Sequence, residues 1–274
     1  MTDTYVHGYE LREAERLRDQ ADVLVELLHS DTNYPAGSTI LEVGCGVGAQ
    51  TLTLARRNPG SSIVAIDRSP SSIAEARLRV ASAGLPNVAL LEADLLTVMF
   101  GPESFDHLFV CFVLEHLADP AAALSRLLTF IKPGGTITVI EGDHGSTLVH
   151  PFSDDAFAVI NCQVMLQAAA GGDARIGRQL YPLLVSAGVH EVNVSPRMIY
   201  ADGSRPELAD MFTRRTFTAM IEGIRESALR SELLTAERFD AGVHALKRAA
   251  EKNGVFCYTF FKATGSKPLV PSHI

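Results

Sequence analysis

The segment 40–55, ILEVGCGVGAQTLTLA, constrains the fold more than any other part of this 274-residue chain. An apolar run turns into three closely spaced glycines and then into a helix-like pattern. Glycine adopts left-handed backbone angles and lets the main chain come close to a bound molecule. Read as Gly44-x-Gly46-x-x-Ala49, the stretch also matches the dinucleotide fingerprint loosely. The loop alone therefore leaves a pyrophosphate, a nucleoside and a sulfonium cofactor open as its ligand.

Strand-like and helix-like segments alternate through the first half of the chain. Strands are predicted at 39–43, 62–66, 88–91, 107–112 and 136–140, with helices between them at 48–57, 70–83 and 119–131. The helix near Pro70 has Ser69 as its predicted N-cap, and the helix after Asp119 begins in the same way. Alternation of this kind predicts an α/β fold with a doubly wound, mostly parallel sheet.

One helix precedes the alternating segments, and the alternation loosens after Ile140. Helices are predicted at 10–29, 154–170 and 178–187, a loop at 141–155, and strands at 189–195 and 254–265. Residues 205–252 have a helical pattern and interrupt the sheet late. We therefore expect an N-terminal helical lid over 1–35, a core over 36–204 and 253–265, and a helical cap inserted at 205–252.

Three acidic residues at predicted strand ends narrow the choice of ligand. Asp67 ends the second strand, 23 residues beyond Gly44, where an acid binds ribose hydroxyls. Glu42 lies two residues before the first glycine. A carboxylate there would repel a pyrophosphate but suits a cationic amino acid end. Asp94 follows the third strand, where it could accept a hydrogen bond from an adenine amino group.

The motifs LEVGCGVGA, AIDRS, EADLL, FDHLFVCFVLEH and KPGG occur in one order over residues 36–141. In this order the chain resembles the class I S-adenosylmethionine-dependent methyltransferases. The resemblance implies a Rossmann-like, seven-stranded sheet with its last strand antiparallel, helical cap insertions and S-adenosyl-L-methionine as cofactor. A nicotinamide cofactor is the weaker alternative.

The resemblance also implies which residues contact the cofactor. Gly44, Cys45 and Gly46 would approach its methionine part, together with the preceding acid Glu42. Asp67 would bind the ribose, Asp94 the adenine amino group and Leu95 an adenine face. The turn at Cys111 and Phe112 would close over the sulfonium side. Further candidate contacts are Arg68, His116 and, from an N-terminal segment that covers the cofactor in related enzymes, Tyr9 and Gln20.

Composition bears on the partner and the compartment. The net charge is −8 with no run of Lys or Arg, which argues against nucleic acid or a membrane surface as partner. The four cysteines form no CxxC pair, and the first residues carry no apolar signal core, so reduced thiols in the cytoplasm are expected. No chelating set of carboxylates stands out, so no metal is predicted. Nothing in the sequence selects between a monomer and a homo-oligomer.

The acceptor is expected to be a small hydrophobic molecule. His144, just beyond the fifth strand, is the candidate catalytic base, and His144, His150, Phe152, Tyr200 and Phe212 are the candidate substrate contacts. The chain as a whole resembles bacterial natural-product methyltransferases. That resemblance implies methylation of a carbon on a prenyl or terpenoid chain of an indole alkaloid, followed by cyclisation. An O- or N-methyltransferase and a cofactor-binding rearrangement catalyst that transfers no methyl are the alternatives.

Overall fold

Seven strands form one sheet in a computed structural model that describes residues 24–269. The sheet order is β3-β2-β1-β4-β5-β7-β6. The strands are β1 (Thr39–Val43), β2 (Ser62–Asp67), β3 (Val88–Glu92), β4 (Phe105–Cys111), β5 (Ile131–His150), β6 (His190–Asp202) and β7 (Val255–Ser266). β7 runs antiparallel to β5 and β6, and the other pairs are parallel. The predicted seven-stranded sheet with an antiparallel last strand is confirmed.

The strand order reverses beside β1, which pairs with β2 on one side and with β4 on the other. In an open α/β sheet, such a reversal leaves a crevice beyond the carboxyl ends of the strands. The glycine loop follows β1, and the turn after β4 begins at the neighbouring strand end. Both segments therefore border this crevice.

Helices cover both faces of the sheet. They are α1 (residues 24–29), α2 (Ala49–Arg57), α3 (Pro70–Ser82), α4 (Pro120–Leu128), α5 (Asp154–Ala169), α6 (Leu180–Ser186), α7 (Pro206–Leu208), α8 (Ala219–Gly223), α9 (Arg225–Arg230) and α10 (Ala236–Ala249). On one face Leu54 of α2 packs in a cluster with Phe109 of β4. On the other face Leu124 of α4 packs in a cluster with Leu108.

Two predicted helix starts are present. The Ser69 hydroxyl accepts a hydrogen bond from the Ser72 amide at 3.2 Å, and Pro70 occupies the first helical position of α3. Asp119 caps α4 in the same way, at 2.9 Å from the Ala122 amide. Each cap satisfies an amide that the helix leaves unpaired at its start.

β5 is much longer than the predicted strand at 136–140, and the predicted loop at 141–155 is wrong over residues 141–150. The register between β5 and β7 shifts between Asp143 and Leu148, after which Leu148 pairs with Cys257. Glycine and aspartate are depleted in strands, so the local pattern of this segment indicates a loop. The strand continues because β7 supplies backbone partners that the local sequence does not reveal.

The segment 206–249 is helical, as predicted, but divided into short pieces. α7 leads into a π-helical segment, Ala209–Thr218, which is followed by α8, α9 and α10. Two threonine hydroxyls match the five-residue π spacing: Thr216 donates to the Met211 carbonyl at 3.0 Å, and Thr218 donates to the Thr213 carbonyl at 2.6 Å. α10 packs against α5. The division into lid, core and cap remains a prediction.

Helix α1 is fastened to the sheet at its carboxyl end by Lys262 of β7. The buried Lys262 ammonium donates to the Leu28 carbonyl at 3.1 Å, to Asp31 at 2.6 Å and to the Thr32 hydroxyl at 2.6 Å. A cation at this end also complements the helix dipole. The greater part of the predicted helix at 10–29 and of the lid at 1–35 lies outside the described residues.

Three general features concern the described part of the chain. All four cysteines are buried and unbridged. Within residues 24–269, no helix is long and apolar enough to cross a membrane. Over the same range, no group of three or more His, Cys, Asp or Glu side chains is arranged to hold a metal ion.

Candidate active site

The glycine loop has the backbone shape that its sequence predicts. Gly44, Gly46 and Gly48 have φ angles of 70°, 52° and 77°, in the left-handed region that favours glycine. A Cβ on Gly44 would lie 2.4 Å from Cγ2 of Val113, whereas a Cβ on Gly46 would meet nothing within 4 Å. Gly44 is therefore required by packing against the turn after β4. Gly46 borders open space that a ligand can fill.

Asp67 is held at the end of β2 by the loop itself. One carboxylate oxygen accepts a hydrogen bond from the Gly46 amide at 2.8 Å, and the other accepts from the Ser69 amide at 2.8 Å. The side chain is half-buried. Each carboxylate oxygen has a further lone pair, so Asp67 can still accept hydrogen bonds from two adjacent hydroxyls. This arrangement suits the ribose role that the resemblance implies.

The adenine-side candidates follow β2 and β3. Asp94 is half-buried and accepts a hydrogen bond from the Leu96 amide at 2.8 Å through Oδ1. Leu95 is half-buried and packs against the cluster that contains Leu108. Arg68 is exposed. The structure brings these residues to the same sheet edge as Asp67, and their contacts with cofactor remain predictions.

Glu42 is a buried carboxyl with an unsatisfied atom at the end of β1. Its Oε2 is buried and has no hydrogen-bond partner among residues 24–269. Burial, aided by the charge of Asp67, raises the pKa of Glu42 to about 8. A cationic amino group would supply the missing donor and stabilise the carboxylate, whereas a pyrophosphate would add repulsion. The residues present therefore fit the amino acid end of S-adenosylmethionine better than a dinucleotide.

The turn after β4 lies directly over the glycine loop. Phe112 has a left-handed φ of 59°, and its amide donates to the Ile140 carbonyl at 2.9 Å. The next residue, Val113, contacts Gly44. His116 is half-buried and lies 3.4 Å from the Glu115 carboxylate, within the same turn. Cys111 is buried, and its burial raises the pKa of the thiol, so it is a neutral thiol rather than a nucleophile.

His144 is buried where the extension of β5 meets the cap. Its Nδ1 lies 3.1 Å from the Ala174 carbonyl and 3.1 Å from the Tyr258 hydroxyl, and its Nε2 lies 3.4 Å from the Met220 sulfur. A carbonyl oxygen can only accept, so the contact with Ala174 places the proton of the neutral ring on Nδ1. Nε2 is then the basic nitrogen and faces the cap. This geometry is compatible with a general base, and that role remains a prediction.

Aromatic rings surround His144. Phe217 lies 5.7 Å and Tyr258 5.6 Å from the His144 ring. The cluster continues through Phe212 and Phe260, whose centroids are 5.9 Å apart. Phe112 then lies 5.5 Å from Phe260. A continuous aromatic path therefore joins the turn beside the glycine loop to the cap.

Two of the predicted substrate contacts join this aromatic cluster, and three do not. His144 and Phe212 belong to it. Tyr200 is 44% exposed and faces away from its neighbours Ile199 and Ala201, which are buried beneath the cap, because successive strand residues point to opposite faces. His150 is exposed at the end of β5, and Phe152 beyond it is 70% exposed. The cofactor candidates Tyr9 and Gln20 lie outside the described residues.

Several residues of the site are not evident from the local sequence. Tyr258 and Phe260 belong to a strand that is recognisable only as a core element, and Met220 belongs to a helix that indicates no function. Glu141, fully buried, accepts hydrogen bonds from the turn after β4. The alternation of VFCYTFF could have indicated that Phe256, Tyr258 and Phe260 share one face.

Comparison with known proteins agrees with this geometry. A family described as a methyltransferase domain matches residues 40–135. A ubiquinone biosynthesis O-methyltransferase of Xylella fastidiosa is 30% identical over 182 residues, which cover 64% of this chain and 70% of that protein. A demethylmenaquinone methyltransferase of Thermus thermophilus is 36% identical over 106 residues, 39% of this chain and 48% of that protein.

The crystal structure of the [4+2]-cyclase SpnF superposes with a TM-score of 0.56 at 21% identity, covering 92% of this chain and 82% of that one. At this identity the likeness shows the fold alone. The chain spans about half the length of the first curated relatives it matches. The matched motifs, the sheet order and the extent of the Xylella alignment lead to one conclusion: the chain belongs to the class I S-adenosylmethionine-dependent methyltransferases.

Proposed function

We propose that this protein transfers a methyl group from S-adenosylmethionine to a small hydrophobic acceptor. The preferred target is a carbon of a prenyl or terpenoid chain on an indole alkaloid, with cyclisation after the transfer. The observation that carries the proposal is the aromatic cluster of Phe112, Phe212, Phe217, Tyr258 and Phe260. It extends from the turn beside the glycine loop into the cap.

The cofactor, when bound, supplies an electrophilic methyl group on a sulfonium. The chain contributes alignment and exclusion of water, which are the main sources of acceleration in a displacement of this kind. Glu42 offers a buried acceptor for the amino group, and Asp67 is already oriented by two amides. Val113 packs on Gly44 of the glycine loop, and Phe112 joins the aromatic cluster through Phe260.

Methylation of an alkene suits an aromatic site. The π electrons of the double bond form the new carbon–carbon bond, and the electron pair of the sulfur–methyl bond stays on sulfur. The neighbouring carbon becomes a cation, and the faces of Phe217 and Tyr258 can stabilise positive charge. The cation is then attacked by the indole ring, and a proton leaves to restore aromaticity. His144 Nε2 is the candidate acceptor for that proton.

Incubation with methyl-labelled S-adenosylmethionine and a panel of prenylated indoles, analysed by mass spectrometry, tests the proposal. The expected result is a labelled product in which the label is attached to carbon. Phe217→Leu should lower kcat for that product. Phe100→Leu, which alters an aromatic group on the opposite face of the sheet, should affect stability only. Absence of a carbon-labelled product across the panel would reject C-methylation.

An O- or N-methyltransferase is the second candidate. It is favoured by the buried His144 and by the Xylella relative, which is named as an O-methyltransferase. Here His144 would take the proton of a hydroxyl or amine, and His144→Ala should lower turnover by about 10²–10⁴-fold. The exposed His190 serves as the control, since His190→Ala should leave turnover unchanged. An undiminished rate in His144→Ala would exclude His144 as the base.

A cofactor-binding catalyst of rearrangement is the third candidate, because SpnF, a [4+2]-cyclase, shares the fold. All three candidates share the premise that the protein binds S-adenosylmethionine. Calorimetric titration with S-adenosylhomocysteine and with NAD checks this premise. Binding of S-adenosylhomocysteine and not of NAD is expected. A protein that binds S-adenosylhomocysteine but converts its acceptor without methyl transfer would belong to this third class. The partner is proposed to be a small molecule, with no nucleic acid or membrane.

A further inference from the structure

Glu141 is a buried ionisable residue to which the proposed chemistry gives no role. It lies in β5, one residue beyond Ile140, the last residue of β5 that pairs with β4. Its side chain is fully buried. Oε1 accepts two hydrogen bonds, from the Val113 amide at 3.0 Å and from the Leu114 amide at 2.7 Å. Oε2 has no hydrogen-bond partner within the described part of the chain.

These two amides open the segment 112–116, which we call the β4 loop. Residues Leu114–His116 form a 3₁₀ turn, and Val113 at its start supplies no side-chain cap. Glu141 takes the place of that cap from a different strand. Without it, two buried amides would lose their acceptor, and an unsatisfied buried donor is strongly unfavourable. Glu141 therefore fixes the backbone of the β4 loop where it leaves β4.

The position of Val113 connects this carboxyl to the glycine loop. Val113 is buried, and its Cγ2 occupies the space where a Cβ of Gly44 would lie. Because Glu141 holds the Val113 amide, it also sets how Val113 rests on Gly44. At its other end, the β4 loop is tied to α5 and to the segment that follows α5: the Glu115 carbonyl accepts from the Gln167 side chain at 2.9 Å and from the Asp173 amide at 2.9 Å.

We propose that Glu141 is a positioning residue for cofactor binding, which acts by holding the β4 loop against the glycine loop. This role rests on the proposed use of S-adenosylmethionine. It requires a hydrogen-bond acceptor and no negative charge. Burial and the charge of Glu115 raise the pKa of Glu141 well above its usual range, which favours the neutral acid. A neutral carboxyl accepts both amides through its carbonyl oxygen.

Three variants separate positioning from simple stability. Glu141→Gln keeps a neutral acceptor oxygen in place, whereas Glu141→Met fills the space without one. Thr138→Val is the matched control: Thr138 is a buried β5 residue whose hydroxyl bonds to Tyr34 at 3.0 Å, away from the β4 loop. Each protein is titrated with S-adenosylhomocysteine by calorimetry, and its melting temperature is measured without ligand.

We expect Glu141→Met to weaken S-adenosylhomocysteine binding by about tenfold or more, the change expected when a buried pair of amides loses its acceptor. Glu141→Gln should stay within about threefold of wild type, and Thr138→Val should lose stability without losing affinity. Unchanged affinity in Glu141→Met, or equal weakening in Glu141→Gln and Glu141→Met, would overturn the inference. Wild-type protein that fails to bind S-adenosylhomocysteine would instead overturn the proposed function.

Discussion

Acidification from pH 7 to pH 5 should remove the stability that one buried neutral histidine, His29, contributes to this fold. The side chain is fully buried at the end of α1, with its ring centroid 5.7 Å from that of Phe109. Its Nε2 lies 2.7 Å from the Gln50 side-chain oxygen, and its Nδ1 has no hydrogen-bond partner among the described residues. Burial lowers the pKa of His29 to about 4, and the charges of Lys262 and Arg57 act in the same direction.

The direction in which stability changes with pH follows from comparing proton binding in the folded and unfolded states. His29 ionises near pH 6.5 in the unfolded chain but only near pH 4 in the folded one, so between these values the unfolded state binds more protons. Stability is therefore lost as the pH falls from about 6.5 towards 4. Linkage with these two pKa values gives a loss of about 2 kcal/mol in the free energy of unfolding between pH 7 and pH 5.

The pH dependence of wild-type stability does not by itself isolate the contribution of His29. Burial raises the pKa of Glu42 to about 8, so Glu42 contributes stability below its unfolded pKa that is lost as the pH rises towards 8. Glu42 and His29 thus act in opposite directions over the same range. The measured quantity must be the difference between wild type and a His29 variant, in which the contribution of Glu42 cancels.

His29→Gln removes the titrating group and keeps an amide donor for Gln50. Urea unfolding at pH 7 and at pH 5 should show that the stability gap between wild type and His29→Gln shifts by about 2 kcal/mol in favour of the variant at the lower pH. The exposed His190 provides the control, and His190→Gln should show no such shift. A constant gap for His29→Gln would refute the assignment of His29 as a buried neutral imidazole.

Three further predictions concern the site and its support. Glu42→Gln should raise the melting temperature above pH 8, where wild type carries a buried charge, yet weaken S-adenosylhomocysteine binding, since the cofactor amino group loses its carboxylate; calorimetry and melting curves at pH 8.5 check both. Gly44→Ala places a Cβ 2.4 Å from Val113, so it should cost about 1–3 kcal/mol by urea unfolding and weaken cofactor binding. Gly188 has a φ of 88°, and a Cβ there would meet nothing within 4 Å, so Gly188→Ala should lose only the stability that backbone strain costs. Equal losses of stability in Gly44→Ala and Gly188→Ala would contradict the clash with Val113. Lys262→Met should lower stability by about 2–4 kcal/mol because three acceptors at the end of α1 lose their donor, whereas Lys132→Met, at a partly exposed ion pair, should cost about 1 kcal/mol or less.

The parallel half of the sheet could be predicted from the sequence because the patterns that indicate its strands and helices lie within short segments. The strands β1 to β4 lie in short apolar runs, and the caps Ser69 and Asp119 precede prolines at helix starts. The glycine loop could be predicted for the same reason, since a positive φ demands glycine wherever the turn occurs. The extension of β5 could not, because its partners lie more than a hundred residues away in β7.

The residues of the candidate acceptor site could be predicted from the sequence only in part. His144 and Phe212 could be selected by residue type and position, but Tyr200, His150 and Phe152 were selected by the same criteria and lie on the outer surface. Residue type does not say which face of a strand is covered by the cap. That depends on how β6 and β7 pair and on where the π-helical segment Ala209–Thr218 packs.

Local sequence patterns are sufficient to predict the alternation of strands and helices, the left-handed glycine loop and the acids Glu42, Asp67 and Asp94 at the strand ends. Each of these depends on residues close together in the chain. Local patterns do not predict that Glu141 holds the β4 loop, that Val113 packs on Gly44, or that Tyr258 contacts His144; these contacts follow from the folded arrangement. These contacts join segments that are distant in sequence, and their geometry follows from the strand register and the packing of the cap.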